Sequence, residues 1–550
     1  MSYFLITMLI YVLQGNVIEA VFWPQMIPFE LSFRVDGLSI FIAIISFIIW
    51  VAIFIYSIGY IKENILRYYT LLLLALGAVQ DTFFAIDLVN FYVFLEMTTI
   101  FAYFLIIHNK DFTAQKAGYK YLLMSISGAF LILLSIFFSY QHTGNYELSG
   151  IIHCGYPIAP ILFLTGCFIK AGAVPLHTWL PEAHPAAPTP ISAFLSGIMI
   201  KIGVYGLIRV IFPINNPSIA INSNMVDLLN STIIFIALLS IFIGGFLALL
   251  QENAKRLLAY SSVSQIGYIL FGIGVGTQIG LTGGIYHIIN HAIFKGLLFL
   301  SVGAAIFRVK SKNFDDLGGL WKKMPVTTIA CIIAALSLSG IPPLGGYASK
   351  ALIGKAVAEY NPILKYVLTF SSALTLAYVF KLIKFTFFGK ENKILSLLKE
   401  VHFYMLIPML LLSFLCITLG LTANLIVNSF MPIAVNEIIF FQDSLNISFW
   451  SEKGVFIDTM LTVLLGFLIY YLSLKAGLIR REDKKQIMNI PLAKDISCAS
   501  VDSLYCHLAK IVFNSCQRLN KAHSRDLNLH LSWIPLTFII LYLVLYFDFL

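Results

Sequence analysis

The chain has 550 residues, 59% of them hydrophobic and 11% charged, with a mean hydropathy of +0.88 and a formal net charge of +9. Soluble chains carry roughly 25% charged residues, so this composition excludes a water-soluble globular protein. The apolar runs are continuous rather than alternating, which excludes a membrane β-barrel and implies an all-α polytopic membrane protein.

In chain order, spans are predicted near 2–22, 38–61, 67–86, 88–108, 119–140, 157–178, 190–212, 229–250, 257–277, 279–306, 324–360, 362–383, 402–428, 455–476 and 532–550, about 14–15 transmembrane helices. The first opens YFLITMLIYVL and is the weakest, because Gln14, Asn16 and Glu19 interrupt it. It lacks the basic segment and small-residue cleavage site of a signal peptide, so it reads as a short first span. The span over 157–178 breaks at Pro175, and the following WLPEAHPAAPTP holds four more prolines. The span over 324–360 is too long for one straight crossing. Gly340-Ile341-Pro342-Pro343 and then Gly345-Gly346 divide it into two half-helices. Such interruptions persist in a membrane only where protein or water satisfies the freed backbone groups.

Threading the chain through these spans sorts its basic residues. Lys110, Lys116, Lys255, Arg256, Lys310, Lys322, Lys384 and the stretch from Arg480 to Arg525 fall on one side. The opposite loops, 141–156, 213–228, 277–279 and 429–454, hold almost no Lys or Arg, with Lys453 the exception. The positive-inside rule makes the basic side cytoplasmic, which puts the N-terminus inside and the C-terminus outside a cytoplasmic (inner) membrane. The net charge is therefore an orientation and lipid signal rather than a nucleic-acid one. Within the long polar stretch 477–531, Val501, Leu504, Leu508, Ile511, Val512 and Leu519 recur at helical spacing, with Asp502, Lys510, Arg518 and Lys521 on the other face. This is an amphipathic helix along the cytoplasmic interface, either a linker or a brace against neighbouring helices or another subunit.

Charges inside the spans carry the functional reading. Glu96, Lys170, Lys201, His287, His291, Lys295 and Lys350 sit at mid-span or beside a break. One buried lysine is most simply a snorkelling or salt-bridged residue, but these positions are mostly central, which points to a polar path for protons or small cations. His287, His291 and Lys295 are spaced i, i+4, i+8 and share one helix face, with residues about two positions away expected to face lipid. Lysine and histidine suit a relay because a moving partner shifts their proton affinity. Lys255 at a membrane edge reads equally as a path residue or an orientation charge. Ser261, Ser262, Ser264 and Gln265 beyond it could hold water or satisfy helix packing. His177, Glu182 and His184 flank the first break; a proton entrance and simple loop solvation both account for them.

Seven cysteines (Cys154, Cys167, Cys331, Cys416, Cys498, Cys506, Cys516) form no CxxC and no Cys/His cluster, so none is expected to ligate iron–sulfur or zinc. No Gly-rich dinucleotide fingerprint or haem CxxCH appears either, and no cofactor is expected in the chain.

Four stretches resemble a known family: FIKAGAVPLHTWLPEAHPAAPTPISAFLSGIMIKIGVYGLIRV, KRLLAYSSVSQIGY, HIINHAIFKGLLFLSVGA and SGIPPLGGYASKALI. They are similar to the antiporter-like proton-translocating subunits shared by Mrp sodium/proton antiporters (their A-type and D-type members), respiratory complex I and membrane-bound hydrogenases. The similarity runs from about Asp36 to about Tyr378, and HSRDLNLHLSW near the C-terminus also resembles some members. The resemblance implies two inverted five-helix repeats, 67–212 and 229–383, each a half-channel with one broken helix. Residues 1–66 then hold N-terminal spans and 402–476 additional spans. It further implies that Glu96 pairs with Lys170, that Lys201 connects the first half-channel, that His287, His291 and Lys295 form a central polar axis, and that Lys350 ends the second half-channel. Lysine after the GIPP turn is closer to the Mrp and hydrogenase branches than to the complex I subunit with glutamate. Many members have two spans before the one that opens DGLS, and this chain has at most one.

The leading expectation is a proton-translocating subunit of a multisubunit complex, most similar to the D-type member of an Mrp cation (Na+)/proton antiporter. The alternative is a membrane-arm pumping subunit of an NADH-quinone oxidoreductase or energy-converting hydrogenase, and a scaffold with a dead channel is a third reading. The sequence leaves open whether the chain serves an enzyme. Expected partners are other hydrophobic subunits, lipid, protons and, in the antiporter reading, sodium, but no nucleic acid.

Overall fold

A computed structural model of the chain describes residues 2–23, 30–153, 157–215, 223–389, 398–436, 438, 447–449 and 453–479. The expected amphipathic helix, the C-terminal span, Cys154, Cys498, Cys506 and Cys516 lie outside the described residues.

Among the described residues, ten helices are long and apolar enough to cross a membrane, and four shorter apolar helices accompany them. Short polar side chains start many of them. Asp36 closes a capping box with Ser39 at the head of Gly37–Tyr60, and Asp87, Asp111, Asn253 and Thr277 each accept a backbone N–H at a helix start. Outward side chains such as Leu66, Phe112, Leu123, Phe130, Phe235 and Leu464 are exposed and apolar. Such a surface marks a face covered by lipid or by another protein.

The expected first span, 2–22, is not one crossing. Helix Ser2–Leu13 stops at Gln14 and Gly15, and Ile18–Trp23 pairs antiparallel with Leu31–Val35. Twelve helical residues rise only about 18 Å, well short of the ~30 Å hydrocarbon core. The polar run Gln14-Gly15-Asn16 ends the helix, and Gly15 takes the left-handed backbone that turns the chain.

Two successive sets of five follow, each with its fourth element interrupted. The first comprises Ile65–Phe84, Leu88–Ile106, Phe112–Thr143, the pair Ile158–Ala171 and Leu180–Ala186, and Thr189–Ile211. The second comprises Ser223–Leu250, Ala254–Gly274, Gln278–Val309, the pair Pro325–Ser339 and Gly345–Tyr360, and Pro362–Ile383. The first interruption begins at Gly172, in left-handed conformation, three residues before Pro175. Its freed groups are satisfied by other parts of the chain: Val174 N–H donates to Ser240 Oγ at 3.0 Å, and the Trp179 indole donates to the Ile169 carbonyl at 3.0 Å. The second begins at left-handed Gly340. There Ile341 N–H returns to the Leu336 carbonyl at 3.1 Å, and Gly346 N–H reaches Ser337 Oγ at 3.3 Å. A Cβ on Gly346 would lie 1.8 Å from the Ser337 carbonyl oxygen, so the two half-helices can approach this closely only with glycine there. The expected span 402–428 divides into Phe403–Leu421 and a short apolar helix over Ala423–Val435.

Burial is uneven. The most apolar stretch of Thr189–Ile211 is wholly buried, whereas only 17% of Asp458–Lys475 is. Every residue from Gly280 to Ile306 on the central helix Gln278–Val309 is buried. That helix has no lipid face, contrary to the expectation from its spacing, because helices pack around its whole circumference.

Candidate functional site

The first of the charged residues come from two neighbouring helices. Leu88–Ile106 carries Glu96, and the half-helix Ile158–Ala171 carries Lys170 on its last turn. Lys170 Nζ lies 2.7 Å from Glu96 Oε1 and 2.8 Å from Thr99 Oγ1. The lysine side chain is 2% exposed and that of Glu96 21%, so the pair sits at the edge of the packed interior. Gly203, on the next helix, allows this crossing. Its missing Cβ would lie 2.6 Å from the Cys167 carbonyl oxygen and 2.7 Å from Ala171 N.

A π-helical turn over Leu195–Met199 precedes Lys201, whose Nζ donates to the Ser196 carbonyl within that turn. Ser196 Oγ bonds Ser262 Oγ at 2.8 Å, which links this helix to Ala254–Gly274. π turns open carbonyls that an α-helix would occupy, and they recur at functional sites. Nothing in the sequence marks this one.

The serines after Lys255 bond groups on neighbouring helices. Ser261 accepts from Lys295 Nζ at 2.5 Å, which also donates to the Leu258 carbonyl at 3.0 Å. Ser264 donates to the Ile241 carbonyl and serves packing. Gln265 Oε1 lies 3.1 Å from His287 Nε2, and His287 Nδ1 lies 2.9 Å from Ser349 Oγ. His287 therefore bridges Ala254–Gly274 and Gly345–Tyr360. His291 stands next to it, with ring centroids 6.2 Å apart, and neither of its ring nitrogens has a protein hydrogen-bond partner. Lys350 Nζ is buried without a hydrogen-bond partner and sits 4.5 Å over the Tyr268 ring, a cation–π geometry.

The secondary residues are not loop-solvated. His177 and His184 are 3% and 0% exposed, because the prolines fold the segment into the bundle rather than over its surface. His184 stacks on Phe299 and has no protein hydrogen-bond partner at either nitrogen. Lys255, in the first turn of Ala254–Gly274, is 2% exposed and donates to the Ala187 carbonyl at 2.8 Å. Glu182 instead pairs with Lys120 at 2.9 Å, both partly exposed.

Two charged features were not singled out in the sequence. Lys381, 4% exposed, donates at 2.7 Å to the carbonyls of Leu249 and Gln251 and closes the end of Ser223–Leu250. Arg209 pairs with Asp36 and donates to Tyr205 Oη at 2.9 Å, pinning the helix Thr189–Ile211 to Gly37–Tyr60. In sequence both basic residues stand near a helix end, where they look like orientation charges.

Residues 85–375, which hold the charged set from Glu96 to Lys350, match the family described as NADH:quinone oxidoreductase/Mrp antiporter, TM. The chain belongs to this antiporter-like subunit family. Residues 23–69 also match the NADH-ubiquinone oxidoreductase (complex I) chain 5 N-terminus. The chain is 30% identical over 467 residues to Hydrogenase-4 component B of Escherichia coli (strain K12), covering 76% of this chain and 66% of that protein. It is 32% identical over 501 residues to Na(+)/H(+) antiporter subunit A1 of Staphylococcus haemolyticus, covering 83% and 60%. The chain thus spans less than two thirds of the length of either. NADH-quinone oxidoreductase subunit M of Rickettsia felis is 30% identical over 422 residues, covering 75% of this chain and 84% of that one. Among solved structures, a chain of the membrane-bound sulfane sulfur reductase, an archaeal respiratory membrane complex, superposes with a TM-score of 0.79 at 28% identity, covering 98% of this chain and 93% of that chain. A chain of the Mrp complex from Dietzia sp. DQ12-45-1b shares the fold, also at 0.79, with 24% identity and coverage of 97% and 58%. This antiporter-like subunit is an integral membrane protein.

Proposed function

We propose that this chain conducts protons as one subunit of a multisubunit complex in the cytoplasmic membrane, through Glu96, Lys170, Lys201, Lys295, His291, His287 and Lys350. The observation that carries the proposal is the bridge at His287. One imidazole joins Gln265 on one side to Ser349, the neighbour of Lys350, on the other. An imidazole bonded at both nitrogens passes a proton by taking it at one and releasing it at the other. His291 and Lys350 have buried polar atoms without protein partners, the places where water would complete the path. Lys255, His177 and His184 supply a cytoplasmic approach through the first interruption. The two five-helix sets act as inverted half-channels, with the basic loops inside and the C-terminus outside.

The driving reaction separates two readings. In an Mrp-type assembly the proton exchanges with sodium. In a redox arm, electron transfer in partner subunits drives it. The redox reading is supported by the membrane-bound sulfane sulfur reductase chain, which superposes over 98% of this chain at 28% identity. Purifying the tagged complex from native membranes and identifying its companions decides between them: small antiporter subunits support exchange, and quinone-reductase or nickel–iron subunits support redox drive. Conduction itself is tested in vesicles with the assembled complex. Lys201→Ala is expected to abolish pH-gradient formation, and a wild-type gradient would refute the path.

A further inference from the structure

Lys350 has surroundings that the path through His287 does not use. A pocket of about 310 Å³ opens from its side chain between Gly345–Tyr360, Pro362–Ile383 and Lys453–Lys475. Tyr268, Thr369 and Ser372 line it, so it is partly polar. Lys365 and Asp458 line it as well, and Lys365 Nζ lies 2.9 Å from Asp458 Oδ2. Their side chains are each 40% exposed, whereas Lys350 Nζ is buried. The pocket therefore has an inner end at Lys350 and an outer end at the ion pair. The helix places Lys350 about 16 Å along its axis from the turn at Asn361, at 1.5 Å per residue. Lys365 stands just past that turn, on the next helix.

Asp458 belongs to the weakly buried helix Lys453–Lys475, which follows both five-helix sets. An element outside the polar path thus supplies half of the pair at the pocket's mouth. Exposed pairs of this kind are weak, and separating one costs no more than about fivefold in equilibrium population. The contact can open and close within a transport cycle.

We propose that Lys365–Asp458 is the latch of an outlet that connects Lys350 with the water beyond the Asn361 turn. Paired, the two side chains narrow the mouth. Apart, they admit water as far as the Lys350 position. The proposal rests on Lys350 being the release site, and it adds the route and the residues that gate it.

The test uses Lys350→Cys in the assembled complex, in sealed vesicles of known orientation, with a membrane-impermeant cationic methanethiosulfonate. The parent complex with Lys350 serves as the blank for the native cysteines. Labelling from the outer face is expected to be slow when the pair is intact, and severalfold faster, up to about fivefold, with Asp458→Asn or Lys365→Gln. Exchanging the charges, Lys365→Asp with Asp458→Lys, is expected to restore slow labelling, which separates a latch from general loosening. Equal rates with and without the pair, no recovery on exchange, or labelling from the cytoplasmic face alone would overturn the latch. Labelling does not depend on transport. If Lys350→Leu complexes pump normally while these rates behave as expected, the release-site reading fails and the outlet stands.

Discussion

His287 Nδ1 lies 2.9 Å from Ser349 Oγ, so the middle of the central helix is fastened to the residue before Lys350. The second interruption makes this contact possible. It lets Gly345–Tyr360 start at mid-bundle, with Ser349 in its second turn. A neutral hydrogen bond contributes about 1 kcal/mol. Ser349→Ala is expected to slow driven proton transport by about fivefold to tenfold without loss of assembly, and Ser349→Thr is expected to retain more. Rates measured at matched complex content check this, and equal rates for Ala and wild type would place the relay elsewhere.

The Glu96–Lys170 pair separates charge from titration. Lys170→Ala is expected to abolish transport while the complex assembles. Lys170→Arg keeps a cation beside Glu96 but does not release its proton, so it is expected to be inactive as well. Glu96→Gln leaves a buried lysine without its counter-ion. The expected loss is about 2 kcal/mol of stability, below the ~3–5 kcal/mol of a fully buried pair because Glu96 retains access to water. Melting of the detergent-solubilised complex, alongside transport in vesicles, reads both effects; an active Arg variant would show that Lys170 acts only as a fixed charge.

Cysteines at His287, His291 and Lys295 are expected to react with small water-soluble thiol reagents in the assembled complex. Because the central helix is buried all round, the unreactive controls are packed apolar positions on the same helix, Leu297 and Leu298. Uniform labelling of path and control positions would argue against a lined path.

Lys350→Glu is expected to support a larger pH gradient than Lys350→Leu, since a carboxylate still carries a proton. The two are compared in complexes of matched assembly. A leucine variant as active as wild type would make Lys350 a packing residue.

Gly203→Ala introduces a Cβ where 2.6 Å separates it from the Cys167 carbonyl oxygen. Overpacking of this kind costs about 1–3 kcal/mol and moves the Lys170 half-helix. The expected result is a lower melting temperature together with reduced transport. An unchanged Tm would mean that the two helices separate freely.

The sequence by itself determined the membrane class, most of the spans, both interruptions and the residues of the polar set. These features are written in local chemistry: apolar runs long enough to cross hydrocarbon, prolines and glycines that cannot continue a helix, and charges too costly to bury without use. The Glu96–Lys170 pair was implied by the resemblance, but only the tertiary structure decided what the other polar side chains meet. Spacing along one helix puts His287 and His291 on a common face, but the partners Gln265 and Ser349 come from two other helices. Burial of His177 and His184 was likewise hidden, because a proline-rich stretch reads as a solvated loop until it folds inward, and Lys255 is buried by the contact of its helix with that stretch. The π turn at Lys201, the cap made by Lys381 and the pair Lys365–Asp458 depend on contacts between segments distant in the chain or on subtle backbone widening. Composition and periodicity report on one helix at a time, and a path through a bundle is a property of the spaces between helices.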